Sequence, residues 1–176
     1  IAVHGDTIAI AGGNVFSDKI TGKLDRVYVY QADTIGHFTL AQTLEPEFPT
    51  FNNSSFGHEI AIYENTLVVG NGVSAGRTGS PEPVHVYCKK NNKWSLSQYI
   101  LPNEETDARY SNDVAVHKDI IVIASSASNA AYAYCENTGY YDSSVKTERV
   151  ADFIDKDRNI LTPASQNYQI SDIILN

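Results

Sequence analysis

The hydrophobic residues of this chain occur in short runs that are separated by polar turns. The clearest pair of runs is Ile60–Ile62 and Leu67–Val69, which flank the dipeptide Glu64-Asn65. Strand-forming residues on both sides of a short polar turn predict a β-hairpin. No apolar stripe of helical period persists along the chain, so we expect almost no helix.

The hairpin pattern occurs three times. Its copies begin at Ile1, Ile60 and Val114, at spacings of 59 (60 − 1) and 54 (114 − 60) residues. Each copy is followed by an aromatic block, a polar turn and a fourth apolar run. The aromatic blocks are Val27–Tyr30, Val84–Tyr87 and Ala131–Tyr134. Four short strands per unit, repeated about every fifty residues, are typical of the blades of a β-propeller.

The units resemble the FG-GAP family of propeller repeats, which also occurs in the heads of integrin α-subunits. The resemblance depends on Phe56-Gly57 before an apolar run, on Thr66–Gly70 at the return of the hairpin, on the aromatic blocks and on Trp94. It covers roughly residues 1–145. In the third copy, Tyr110-Ser111 replaces Phe-Gly, and the glycine after the second strand is missing.

The fold predicted from these units is all-β, a partial propeller of three to three and a half blades with four antiparallel strands each. The units cover about residues 1–55, 56–109 and 110–149, with a partial unit at 150–176. Three blades do not close a ring and would leave sheet edges exposed. We therefore expect either that the chain is part of a larger propeller or that several copies associate to close one.

The chain is acidic, with a net charge of −8 at pH 7 and a pI of about 5.0. Its basic residues are scattered, whereas nucleic-acid binding needs clustered Lys and Arg. An acidic surface also disfavours docking on anionic lipid. No apolar run approaches the ~18 residues that a membrane helix needs. We therefore predict no nucleic-acid partner and no membrane insertion in this segment.

The family resemblance implies calcium loops of the form Asp-x-Asp/Asn-x-Asp-Gly, and the first three hairpin turns lack that pattern. Asp155, Asp157 and Asn159 have the required spacing, and their oxygen atoms suit calcium. The match ends there, because Ile160 replaces the glycine and Pro163 replaces the last ligand. These residues are thus a candidate calcium site, and an ordinary hairpin turn is the alternative.

Asn52 and Asn53 each begin an Asn-x-Ser sequon in a polar stretch before Phe56. Either residue is a candidate for N-glycosylation if the protein is secreted by a eukaryote. The sequons agree with the extracellular or cell-surface localisation that the resemblance implies.

Two connections between second and third strands are long, at residues 14–25 and 72–83, and the third is short, at about 126–129. Such loops line up along one rim of a propeller, where binding sites are common. We predict that a protein or glycan partner binds on this rim. Neutral variation in loop length is the alternative.

The cysteines and histidines follow the repeat. Cys88 and Cys135 are equivalent positions of successive units. Stacked sheets lie ~10 Å apart and a disulfide needs Cα atoms within ~7 Å, so we expect unpaired thiols or partners outside the chain. His4 and His117 align with Tyr63, and His85 aligns with Tyr28 and Tyr132. These alignments favour packing or hydrogen-bonding roles for the three histidines.

We predict no catalytic residue, since neither His-Glu-x-x-His nor Cys-x-x-Cys is present. Asp33 is interpreted as a turn residue. The predicted function is a non-enzymatic extracellular recognition or structural module. One alternative is a glycan-binding lectin that closes its ring by self-association. The other is a segment of a propeller hydrolase or lyase whose catalytic residues lie elsewhere.

Overall fold

The computed structural model describes residues 1–12, 26–46, 55–72, 83–101, 110–125, 130–137 and 140–141. These residues form twelve β-strands. The strands are β1 (Ala2–His4), β2 (Thr7–Gly12), β3 (Arg26–Ala32), β4 (Phe38–Leu44), β5 (Ser55–Tyr63), β6 (Thr66–Gly72), β7 (Val84–Lys90), β8 (Lys93–Ile100), β9 (Tyr110–His117), β10 (Ile120–Ser125), β11 (Ala130–Asn137) and β12 (Tyr140–Tyr141). The described residues contain no helix, and in that part of the chain no helix is suited to crossing a membrane.

The strands form three antiparallel sheets of four strands, each connected in chain order. Sheet 1 contains β1 to β4, sheet 2 contains β5 to β8, and sheet 3 contains β9 to β12. The predicted all-β class and the four strands per unit are confirmed. Sheet 2 lies between the other two, since β5 contacts β1, β2 and β3, while β5 and β6 contact β9.

The predicted hairpin turns are present at the same position of each unit. The first turn residue has a positive φ in all three, 55° at Gly5, 48° at Glu64 and 53° at Lys118. Asp33 is confirmed as a turn residue, because its Oδ1 accepts hydrogen bonds at 2.9 Å from the backbone N–H groups of Ile35 and His37.

Two apolar cores fill the spaces between the sheets. Alternation along the strands directs side chains to opposite faces, so Leu67 and Val69 point toward sheet 1 while Val68 points toward sheet 3. The core between sheets 1 and 2 comprises Ala9, Val27, Val29, Leu44, Phe56, Ile62, Leu67, Val69, Tyr87 and Trp94. The core between sheets 2 and 3 comprises Val68, Val84, Val86, Ile100, Tyr110, Val114, Ile121, Ile123, Tyr132 and Tyr134. Sheet 2 is therefore buried on both faces.

The Phe-Gly and Tyr-Ser pairs form an irregularity at which each sheet contacts the one before it. The β5–β6 register shifts between Phe56 and Glu59. Gly57 and the residue after it therefore have no opposite residue in β6 and form a bulge in β5. A Cβ on Gly57 would lie 3.0 Å from both the Ala11 Cβ and the Val27 Cγ2 of sheet 1. Glycine is required here by this close approach and by its φ of 85°.

Candidate functional site

Three aromatic rings, one from each sheet, contact one another in succession and form what we call the His–Tyr–His row (His4, Tyr63, His117). Each is the last residue of its strand and immediately precedes a hairpin turn. The ring centroids of His4 and Tyr63 are 4.8 Å apart, and those of Tyr63 and His117 are 4.6 Å apart. The shared repeat position therefore becomes a physical contact from sheet to sheet.

The His–Tyr–His row is accessible from solvent. His4 and Tyr63 are half-buried and His117 is exposed. Partial burial and the adjacent Glu64 carboxylate raise the pKa of the Tyr63 hydroxyl further above its ordinary value, and the phenol is neutral at physiological pH. The row thus presents aromatic surface together with imidazole and hydroxyl groups that donate or accept hydrogen bonds. These properties suit binding of a peptide or a sugar.

His85 on β7 is buried between sheets 1 and 2. Its ring makes edge contacts with Phe56 at a centroid distance of 5.0 Å and with Tyr99 at 4.9 Å. Burial lowers the pKa of His85 to about 4, with the Pro83 carbonyl acting in the opposite direction. The imidazole is therefore neutral at pH 7, and its Nδ1 is buried without a hydrogen-bond partner. The predicted packing role of this position agrees with these contacts.

Sheet 2 contains a second buried polar side chain, Asn71, in addition to His85. In sheet 1 the corresponding pair is Gly12 and Tyr28, where a Cβ on the glycine would lie 2.7 Å from the Tyr28 ring. The smaller imidazole in sheet 2 leaves space for the Asn71 side chain, whose Nδ2 donates to the Pro83 carbonyl at 2.9 Å. The Asn71 Oδ1 is buried and has no hydrogen-bond partner. Both polar side chains thus belong to the packing between sheets.

Side chains of sheet 1 also bind sheet 2 directly. The Gln42 amide donates to the Trp94 carbonyl at 2.7 Å and accepts from the Trp94 N–H at 2.9 Å. Lys89 donates to the Gln31 Oε1 at 2.7 Å, and its Nζ lies 5.9 Å from the centre of the Trp94 ring. The same Gln31 side chain is the main cause of a lowered pKa at Asp6. These contacts fasten the two sheets along one edge.

Most of the predicted site residues lie outside the described part of the chain. This holds for the calcium candidates Asp155, Asp157 and Asn159 and for the glycosylation candidates Asn52 and Asn53. It also holds for the predicted loops, apart from Gly72 and Pro83 at the ends of the second one, and for the partial unit at 150–176. Within the described ranges, no group of three or more His, Cys, Asp or Glu side chains is placed to hold a metal ion.

Cys88 and Cys135 occupy equivalent positions on β7 and β11, and each is a free thiol that is partly exposed. His58 and Glu59 lie side by side at the start of β5, with 3.2 Å between the imidazole Nδ1 and the carboxylate. Both are substantially exposed, so neither has the buried environment that would adapt it to acid–base catalysis.

The sequence prediction overlooked one catalytic pattern. Residues 72–76 read Gly-Val-Ser-Ala-Gly, which has the Gly-x-Ser-x-Gly spacing of the nucleophile elbow in hydrolases. That elbow needs a strand, then a sharp turn, then a helix. Ser74 follows β6 but is soon followed by Gly79, Pro81 and the start of β7 at Val84. Ser74 lies outside the described residues, so the Gly-x-Ser-x-Gly spacing stays a match of sequence alone.

No protein-family model matches the chain, and no curated protein is similar to it at the level that indicates a relative.

Proposed function

We propose that the three sheets are consecutive blades of a β-propeller and that the chain is a non-enzymatic recognition or structural module, outside the cell or on its surface. The observation that supports this most is the repetition of one junction. The β5 bulge at Gly57 packs on sheet 1 at Ala11 and Val27. The β9 bulge at Ser111, where the β9–β10 register shifts, packs on sheet 2 at Gly70. Two junctions of the same kind in succession extend naturally to a ring of blades.

The His–Tyr–His row gives this module a binding surface in addition to the predicted rim. Each blade contributes one ring at the same position, so a partner that contacts the row meets several blades at once. The titratable groups of the row follow the repeat instead of converging on one point. This arrangement favours recognition of a protein or glycan over catalysis, although propellers host both.

The proposal is tested with arrays of immobilised glycans and of extracellular proteins. The Tyr63→Ala variant removes the middle ring of the row, and we expect it to bind the ligand at least tenfold more weakly than the unmodified protein. The matched control is His37→Ala, because His37 is an exposed ring in the β3–β4 turn and is not a member of the row. Chemical turnover of the bound ligand would contradict a non-enzymatic function, and unchanged affinity of Tyr63→Ala would remove the row from the site.

A further inference from the structure

The face of sheet 1 that points away from sheet 2 is apolar, and we call it the outer face of sheet 1 (Val3, Ile8, Tyr30, Leu40). These four residues are direct neighbours across the four strands. Val3 is 61% exposed and Leu40 is 52% exposed, and the two between them are partly exposed. A contiguous exposed apolar surface of this kind marks an interaction site.

The same cross-strand row is buried in the other two sheets. In sheet 2 it consists of Ile62, Leu67, Tyr87 and Leu96. The first three of these are only 8%, 0% and 3% exposed. In sheet 3 it consists of Val116, Ile121 and Tyr134, and the last two have no exposed surface. Sheet 1 thus exposes positions that the repeat otherwise keeps in a core.

The same type of surface covers this cross-strand row in both junctions. It is the opposite face of the preceding sheet, and it carries small side chains at three equivalent positions. In sheet 1 these are Ala9, Val27 and Val29, and in sheet 2 they are Val68, Val84 and Val86. In sheet 3 the equivalents are Val122, Ala131 and Ala133, which are partly exposed. We call these three the small-residue face of sheet 3.

We propose that the outer face of sheet 1 docks on the small-residue face of sheet 3 of a second copy of this chain, so that copies associate head to tail. The fit between these two types of face is already present twice within the chain. Pairing two outer faces with each other would instead oppose bulky side chains such as Tyr30 and Leu40, a packing that neither junction contains. Repeated head-to-tail contacts close a ring when the rotation per copy allows it. The closed ring is the part of the inference that rests on the proposed propeller.

The test measures the mass of the purified chain in solution by light scattering and sedimentation over a range of concentrations. We expect a multiple of the 19.3 kDa chain mass. Leu40→Asp or Val3→Asp, on the outer face of sheet 1, should reduce the mass to that of one chain. Ala133→Asp, on the small-residue face of sheet 3, should do the same. The matched control is Leu101→Asp, since Leu101 is 55% exposed but lies outside both faces, and it should leave the mass unchanged.

A mixture of the Leu40→Asp and Ala133→Asp variants gives the sharpest result. Each variant retains the face that the other has lost, so the mixture should form a complex of two chains through one intact contact. Circular dichroism establishes that each variant keeps its β-sheet signal. An unmodified chain that stays monomeric overturns the proposal, and so does an Ala133→Asp variant that associates normally. Either result leaves the propeller and its recognition function standing, because blades of a longer chain could then cover the outer face.

Discussion

The hydroxyl of Ser111 forms two hydrogen bonds with the backbone of Asn71 across the junction between sheets 2 and 3. Its oxygen accepts from the Asn71 N–H at 3.1 Å, and its hydrogen is donated to the Asn71 carbonyl at 3.0 Å. Ser111 takes the position that Gly57 occupies one unit earlier, and it keeps a positive φ of 67°. The departure from the Phe-Gly pattern in the third unit is therefore a replacement of close backbone packing by a buried hydrogen-bonded contact.

Ser111→Ala should destabilise the protein by about 1–3 kcal/mol, because it leaves the buried N–H and C=O groups of Asn71 without this partner. Ser111→Gly should cost about 1–2 kcal/mol less than Ser111→Ala, since glycine loses the same hydrogen bonds but relieves the strain that serine and alanine bear at positive φ. Urea denaturation measures both values. Ser95→Ala, at an exposed position of β8, is the control. If Ser111→Ala is as stable as the unmodified protein, the two hydrogen bonds contribute nothing to the junction.

In each junction a glycine faces a larger residue, and the glycine lies in the bulge in the first junction but opposite the bulge in the second. Ala11 faces Gly57 in the first junction, and Gly70 faces Ser111 in the second, where a Cβ on Gly70 would lie 3.2 Å from the Ser111 carbonyl oxygen and 3.3 Å from the Val114 Cγ1. Gly70→Ala alone should destabilise the protein by about 1–3 kcal/mol through overpacking.

The double variant Gly70→Ala/Ser111→Gly should cost less than the sum of the two single changes, because it recreates the pairing of the first junction. We expect a favourable coupling energy of about 0.5–3 kcal/mol in a double-mutant cycle. Strict additivity of the two changes would show that these residues do not share one packing site.

His85 should make the protein sensitive to acid. Its pKa of about 4 in the folded protein lies below the value of about 6.5 for an unfolded chain, so the unfolded state binds more protons between these values. Stability is therefore lost as the pH falls from about 6.5 toward 4, by about 2 kcal/mol between pH 7 and pH 5. Urea denaturation at the two pH values measures this difference.

The His85→Phe variant should remove most of that pH dependence, because an aromatic residue fills the position without titrating. His37→Gln, in an exposed turn, should leave the dependence as it is. A pH dependence that is the same in His85→Phe and the unmodified protein would place the titrating group elsewhere.

The Gln42 amide should protect the Trp94 backbone N–H from solvent exchange. Gln42→Ala removes both hydrogen bonds to the Trp94 backbone, so the amide should exchange at least tenfold faster and stability should fall by about 1–3 kcal/mol. Hydrogen exchange followed by NMR reports the first effect and urea denaturation the second. Thr43→Ala, at the adjacent exposed position of β4, is the control, and equal exchange rates in the two variants would contradict the contact.

The repeat and the strands could be predicted from the sequence because they depend on local signals. Alternating apolar residues around Glu64-Asn65 and around Asp33–Gly36 determine hairpins without reference to distant residues. The equivalence of His4, Tyr63 and His117 was also visible as a shared repeat position. Their contact as a row could not be predicted, because it depends on how closely and at what twist the sheets stack.

The contacts between sheets were the least predictable part of the fold. Gln42 and Trp94 are 52 residues apart, and nothing in the spacing of either indicates the other. The match in size between Gly70 and Ser111 likewise could not be predicted, because the sequence does not show that these two residues face each other. The candidate calcium and glycosylation residues stay predictions, since they fall outside the described residues.

The most direct test of the account is an electron-microscopic structure of the purified assembly that contains this chain. We expect a closed ring in which sheets 1, 2 and 3 are consecutive blades and another four-stranded sheet covers Val3 and Leu40 on the outer face of sheet 1. A particle in which the three sheets form an isolated stack, with that face in solvent and no further sheet against it, would contradict the propeller.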